Sequence, residues 1–327
     1  MSNLKVIQLL PELNFGGVER GVKDFSKALV DRGHQSIVIS NGGLLQEEIE
    51  NNGAKHINLP IHKKRISSLF LASQLKEIYE KEKPDIVHIR SRMPAWINFF
   101  AFKKLKKRPL LISTFHGLYS TPIYSQVMSK VDHTISISNT VKNYIQSTYK
   151  MTDDQITIIP RGCDSDQFNE EGIEEPWLSK WYEEFPQTKE KIILTIPGRI
   201  TRIKGQDHFI EVIDKIIKKY PNIHGLIIGE EKRKSKYMRE LKDQVTSFGL
   251  DENITFVGHR KDVKQIMSIS KIVFSLTKVP EAFGRISLES LSLGIPVIAY
   301  SHGGVKEQLS EMLPQGLVSV GNINNVK

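Results

Sequence analysis

Twice along this chain, short apolar runs alternate with stretches of helical spacing, and that rhythm constrains the fold more than any other feature. The first series comprises LKVIQLLPEL (4–13), GVERGVKDFSKALVDRGH (17–34), SIVIS (36–40), DIVHIRS (85–91), LLISTFHG (110–117), HTISIS (133–138) and ITIIPRG (156–162). Val18, Val22, Phe25 and Leu29 recur at helical spacing before Gly33 closes their helix, whereas the apolar runs have the length of strands. The second series is IILTIPGR (192–199), a helix over 205–221, HGLIIGE (224–230), a helix over 236–250, ITFVGH (254–259), a helix over 261–270, KIVFSLT (271–277), a helix from about 285, and PVIAY (296–300). Such alternation predicts parallel sheets covered by helices on both faces. Between the series, residues 166 to 190 are acidic, carry Pro176 and Pro186, and hold no strand–helix unit. The expectation is an α/β chain of two tandem doubly wound domains, 1–168 and 191–327, with 169–190 as a linker.

Composition excludes several classes. With 327 residues, 39% hydrophobic and 25% charged, the chain can bury two ordinary cores. No apolar run approaches the roughly 18–20 residues that span a bilayer, and MSNLKVIQLL lacks the pattern of a secretory leader. The single cysteine, Cys163, rules out an internal disulfide framework and fits a reducing compartment. A cytoplasmic protein is expected. The net charge of +9, from 46 Lys and Arg against 37 Asp and Glu, favours anionic partners without choosing among them. Basic residues mix with aromatic and aliphatic ones in FFAFKKLKKRP (99–109) and HKKRISSLFLASQLKEIYEKEK (62–83). Such segments suit an anionic membrane surface, or are ordinary solvated helix faces.

In doubly wound sheets, ligands bind where strands end and helices begin. NFGGVER (14–20) follows the first strand, and Gly16 and Gly17 would let backbone approach a ligand at a helix N-terminus. It is not the G-x-G-x-x-G of dinucleotide folds, and a Gly-Gly pair alone also reads as a plain turn. PGRITRIKGQD (197–207) sets Arg199 and Lys204 around a strand-to-helix loop, a fork and a point charge suited to a diphosphate. PEAFGRISLESLSLG (280–294) places Glu281 just before a helix and Glu289 inside it, with Gly284 where the helix begins. There the amides of Arg285 and Ile286 would meet an anion, Glu281 sugar hydroxyls and Glu289 a ribose. Taken alone, the two glutamates read more readily as a helix with an acidic N-terminal flank, favoured by the same dipole.

Taken together, Glu281 to Glu289, GRITRIKG, NFGGVER and STFHG resemble the retaining nucleotide-sugar glycosyltransferases of family 4, in that family's order, over residues 4 to about 321. The resemblance implies the GT-B fold, two Rossmann-like domains facing a cleft, the first on the acceptor side and the second holding the nucleotide-sugar donor. It implies that Gly16 and Gly17 line the cleft and that His116 sits beside the transferred sugar. Arg199 and Lys204 would hold the diphosphate, Glu281 the sugar hydroxyls and Glu289 the ribose. Amides of Phe283, Gly284, Arg285 and Ile286 would complete the cradle. FVGHRKDV (256–263), with Arg260, resembles the segment lining the base, and PRGCD (160–164) the end of the first domain, although Arg161 stands where the family commonly has Asn. The implied reaction is hexosyl transfer with retention of configuration, with no cofactor and no metal, from a UDP-, GDP- or ADP-sugar to a glycan or lipid-linked acceptor. Nucleic acid is not expected as a partner.

The N-terminal pattern further resembles bacterial enzymes of lipopolysaccharide or surface-glycan synthesis, which suggests a peripheral protein on the cytoplasmic face of the inner membrane. Rival readings give the glutamates to a glycoside hydrolase, or Asp164 and Asp166 to a divalent cation, though two such aspartates also cap a turn. Relatives usually continue through further helices where this sequence stops. The remaining alternatives are therefore a shortened, catalytically weak sugar-nucleotide-binding protein and a sugar-nucleotide epimerase.

Overall fold

Apolar strands and amphipathic helices build two separate units, Met1–Pro160 and Arg161–Lys327, in a computed structural model that describes residues 3–14, 16–63, 70–163, 168–169, 172–230 and 235–322. The described part of the first unit runs β1 (Lys5–Leu9), α1 (Gly17–Asp31), β2 (Gln35–Ser40), α2 (Gln46–Asn51), β3 (Lys55–Asn58), α3 (Leu71–Glu82), β4 (Ile86–Ile89), α4 (Arg92–Phe102), β5 (Leu110–Phe115), α5 (Pro122–Ser125), β6 (His133–Ser136), α6 (Asn139–Tyr149) and β7 (Ile156–Ile158). Its seven strands are parallel in the order β3-β2-β1-β4-β5-β6-β7. The order reverses between β1 and β4, so the loops leaving these two strands part and open a crevice at their carboxyl ends.

The second unit runs α7 (Glu175–Glu184), β8 (Ile192–Pro197), α8 (Gln206–Ile217), β9 (Ile223–Ile228), α9 (Lys236–Ser247), β10 (Ile254–Gly258), α10 (Val263–Ser268), β11 (Ser270–Ser275), α11 (Arg285–Ser292), β12 (Val297–Tyr300), α12 (Gly303–Met312) and β13 (Leu317–Val318). Six parallel strands take the order β10-β9-β8-β11-β12-β13. Both faces of this sheet are covered, as continuous apolar strands require. Leu194, Ile196 and Ile227 pack with Phe209, Ile213 and Leu241 on one side. Ile193, Leu226 and Ile228 pack with Trp181 and Ile266 on the other. Here the reversal falls between β8 and β11, the strands that lead into Arg199, Lys204 and Glu281.

The segment expected as a bare linker contains α7, which closes one face of the second sheet. Trp177, Trp181 and Phe185 recur every four residues, so their rings fall on one side and pack together, Trp177 stacked on Trp181 and Phe185 tilted against it, with Trp181 only 1% exposed. The acidic composition of the segment hid this apolar stripe from a reading by composition. Asp164 and Asp166 lie outside the described residues, as does Phe15 of the first glycine loop. Among the described residues, no helix is long and apolar enough to cross a membrane.

Candidate active site

At the reversal point of the second unit, the loops after β8 and β11 are sewn together. The Lys278 amide donates to the Ile203 carbonyl at 2.7 Å, and within the loop after β8 the Gln206 side chain donates to the Arg199 carbonyl at 3.1 Å. Across this seam the Lys204 ammonium donates to Oε1 of Glu281. The Thr277 hydroxyl donates to the same oxygen at 2.7 Å. The carbonyl of Thr277 in turn accepts from Nε2 of His302 at 2.6 Å, which places that imidazole's proton on Nε2. The Gly304 amide donates to the Glu281 carbonyl at 2.8 Å. Three loops, those after β8, β11 and β12, therefore hold Glu281. Gly303 makes this possible: it is left-handed at φ 62°, and a Cβ there would lie 2.5 Å from the Glu281 carbonyl oxygen.

Gly284 caps α11 in the left-handed conformation, φ 89°, with Val305 packed where its Cβ would stand. The helix then starts with Arg285, Ile286 and Ser287, whose amides precede the first intrahelical bonds and form the positive end of the helix. The Phe283 ring is buried, and its carbonyl accepts from the Gln308 side chain. What Phe283 offers to a ligand is backbone. Glu289, 8% exposed, takes the Arg285 guanidinium at 3.1 Å from Nε and 2.6 Å from Nη2. Arg199 is exposed on the same seam. The two glutamates singled out in the sequence are thus each paired with a cation, beside a helix N-terminus. This is an arrangement able to take an anion and a polyol together.

Arg260 occupies a different environment from the one expected. Its Nε and Nη2 donate to Asp262 at 2.9 and 2.8 Å, and its Nη1 donates to Glu184 at 2.7 and 2.9 Å. Its guanidinium also lies 5.7 Å from the centre of the Trp181 ring. The Asp262 carboxylate, with Glu184, holds this guanidinium still further above its usual range. Arg260 clamps α7 onto the sheet rather than presenting its N–H groups to a base.

In the first unit, Gly16 precedes α1 with φ −174°, extended backbone that any residue adopts, and Gly17 opens the helix at the β1/β4 reversal. His116 follows β5, half-buried, its amide 3.5 Å from the Tyr119 hydroxyl. Two residues at the carboxyl end of β4, His88 and Arg90, join this end of the sheet. His88 is buried with Nε2 2.7 Å from the Thr114 hydroxyl, and Nη1 of Arg90 lies 3.4 Å from its Nδ1. Burial, and then the charge of Arg90, push this imidazole well below its ordinary range. Arg90 stands at the carboxyl end of β4, its Nη2 3.3 Å from where a side chain on Gly21 of α1 would begin. The i, i+2 pairing of His and Arg on one face of a predicted buried strand was the available signal.

Comparison with known proteins agrees with this division. The family described as Glycosyltransferase Family 4 matches residues 15–167, and Glycosyl transferases group 1 matches residues 179–326. A glycosyltransferase of known structure from Rickettsia africae is 30% identical, with a TM-score of 0.86 over 100% of this chain and 86% of its own. Anabaena HepE, solved in complex with UDP, has a TM-score of 0.79 at 20% identity over 97% of this chain and 86% of its own, a likeness of fold. A human phosphatidylinositol N-acetylglucosaminyltransferase protein is 24% identical over 92% of this chain, which spans 62% of that protein's length.

Proposed function

The chain belongs to the GT-B glycosyltransferases, with a family 4 domain followed by a group 1 domain, and on that premise we propose that it moves a sugar from a nucleotide diphosphate-sugar to a glycan or lipid-linked acceptor. The observation that carries this reading is the meeting of Lys204, Glu281 and the α11 N-terminus at the reversal of the second sheet. The UDP held by HepE supports a nucleotide donor. The phosphatidylinositol in the human relative's name supports a lipid-linked acceptor. A role in lipopolysaccharide or another surface polysaccharide is the corresponding cellular assignment.

Breaking the anomeric bond builds negative charge on the departing diphosphate. Lys204, Arg199 and the first amides of α11 stabilise that charge more in the transition state than in the bound donor. They supply the positive charge the leaving group needs, so the reaction proceeds without a metal. Glu281 accepts from hydroxyls of the sugar and orients it. Configuration is retained because the departing phosphate oxygen takes the acceptor's proton on the face it has just left. That step leaves a glycosidic bond, a nucleoside diphosphate and no covalent enzyme intermediate.

The test is nucleotide release in EDTA from UDP-, GDP- and ADP-sugars, with membrane extract as acceptor, alongside Glu281→Ala and Lys204→Ala. Acceptor-dependent release abolished by both substitutions, with NMR of the product showing the donor's anomeric configuration, is the expected result. Release only with added divalent metal, or inversion, would refute the mechanism. Nucleotide binding without turnover would refute the transferase reading itself.

A further inference from the structure

Two backbone contacts bracket the residues that reach Glu281 at the reversal of the second sheet. Gly205 is left-handed, φ 76°, and a Cβ on it would collide with the Leu276 carbonyl. Two residues earlier, the Ile203 carbonyl accepts the Lys278 amide at 2.7 Å. Lys204 on one loop and Thr277 on the other lie between these contacts, and both donate to Glu281. Lys278 then crosses back a second time: its ammonium donates to Oδ2 of Asp207 at 2.5 Å. Asp207 stands in the first turn of α8, where a carboxylate complements the positive end of the helix. Its other oxygen accepts the Tyr237 hydroxyl and its carbonyl the Gln244 side chain, both at 3.2 Å and both from α9. The Lys278 and Asp207 side chains are 30% and 29% exposed, so water screens this pair less than an ion pair on the open surface.

We propose that Lys278 is a positioning residue of the diphosphate site: through its pair with Asp207 it holds the loop that carries Lys204 in place against the loop that carries Glu281. This role rests on the proposed reading of Lys204 as a ligand of the donor diphosphate. There the Lys204 side chain turns from Glu281 to phosphate, so its backbone has to stay fixed while its ammonium moves. The Lys278 amide fixes Ile203, just before Lys204, and the ion pair fixes Asp207, just after it, to one residue of the loop after β11. Asp207 also occupies the Lys278 ammonium, which leaves Lys204 and Arg199 to meet the anion. A direct phosphate contact by Lys278 makes the opposite demand, because Asp207 would then compete with the diphosphate.

The experiment is calorimetric titration of the full chain with UDP, GDP and ADP, at a temperature where every variant is folded. Lys278→Met and Asp207→Asn should each weaken the nucleoside diphosphate about tenfold, the loss of one well-placed charge-assisted hydrogen bond from Lys204. The double variant should bind no more weakly than either single one, since both break one pair. Lys278→Arg, which keeps the pair, should recover most of the affinity. In a Lys204→Ala background, Lys278→Met should change affinity by less than about twofold, because the residue it positions is gone. Lys218→Met, which breaks a pair with Asp214 at the other end of α8, should bind as the parent does. A loss from Lys278→Met that persists in full without Lys204, or tighter binding by Asp207→Asn than by the parent, would make Lys278 a phosphate ligand in its own right. Unchanged affinity in both single variants would leave the pair structural, and an equal loss in Lys218→Met would make the effect one of net charge; each of these results overturns the proposal. Because binding is read without turnover, a parent that binds nucleotide and transfers no sugar refutes the transferase reading and not this one.

Discussion

Replacing Gly303 by alanine separates two costs that the structure keeps apart. The residue is left-handed, and its new methyl would lie 2.5 Å from the carbonyl oxygen and 2.7 Å from the nitrogen of Glu281, where ordinary contact begins near 3.4 Å. The conformation alone costs an alanine about 1–2 kcal/mol, and forcing an extra methyl into packed backbone adds roughly 1–3 kcal/mol. Relief requires the Glu281 loop to retreat by most of an ångström, and misplacing a group at a reacting centre by about 1 Å can cost on the order of 100-fold in rate. Gly249 supplies the control. It too is left-handed, but nothing lies within 4 Å of its missing Cβ, so Gly249→Ala should lower the melting temperature by about 2–8 °C, the cost of the conformation alone, and leave turnover alone. Thermal melts and acceptor-dependent nucleotide release, both taken where every variant is fully folded, should show kcat falling on the order of 100-fold in Gly303→Ala alone. A folded Gly303→Ala enzyme with kcat within a few-fold of the parent would refute the claim that the loop after β12 sets the position of Glu281.

Thr277→Val removes the hydroxyl that donates to Glu281 at 2.7 Å and should lower kcat/KM by about fivefold to tenfold, the value of roughly 1 kcal/mol for one hydrogen bond. Thr277→Ser should restore it, and failure of that rescue would assign the residue to packing. Trp181→Ala should cost about 3–5 kcal/mol in urea unfolding of the second unit; a loss under 0.5 kcal/mol, as at ordinary surface sites, would return α7 to the role of a linker. Burial, with the charge of Lys191 adding to it, lowers the His224 imidazole from 6.5 to about 4. The unfolded chain therefore binds more protons between those values. This contribution, about 2–3 kcal/mol, is complete above pH 6.5 and is lost as the pH falls toward 4. Urea midpoints of His224→Gln should fall less steeply over that window than those of the parent, and identical slopes would exclude His224 as the group responsible.

The alternation of the two sheets was legible because strands buried on both faces must be apolar throughout, and the helices between them carry their stripe at a different period. β3 was silent for the opposite reason. Lys55, His56 and Asn58 pair with a neighbour on one side only, and half-exposed edge positions leave no apolar pattern. Strand order is a tertiary property, so no local run announces that β1 lies beside β4. The site was legible as a set of residue types at strand ends, and Lys204 and Glu281 do meet there. Partner choice was not legible. Arg260 looked like a ligand-facing cation in a loop, but Glu184 and Asp262 claim it, and a contact 76 residues apart in sequence leaves no local trace. Thr277 and His302 support Glu281 through one side-chain and one backbone oxygen, a relay that spacing does not encode.

The pairing of both glutamates with cations bears on what the site would recognise under the proposed function. A diphosphate entering alone must draw Lys204 away from Glu281, and it leaves that carboxylate, only 18% exposed at its side chain, with the Thr277 hydroxyl as its one remaining side-chain donor among the described residues. A nucleotide-sugar offers both halves of the exchange, phosphate oxygens for Lys204 and hydroxyls for Glu281. The carboxylate thus acts against the bare product and in favour of the full donor, because a hydrogen-bonding group left short of partners costs more than a replaced bond gains. Glu281→Gln keeps the shape of the side chain and removes its charge. In that variant Lys204 is released to phosphate, so calorimetric titration should show the nucleoside diphosphate binding several-fold more tightly than in the parent, while the donor gains less or loses affinity. Parallel shifts for donor and product would show that Glu281 acts on the site's general charge and takes no part in reading the sugar.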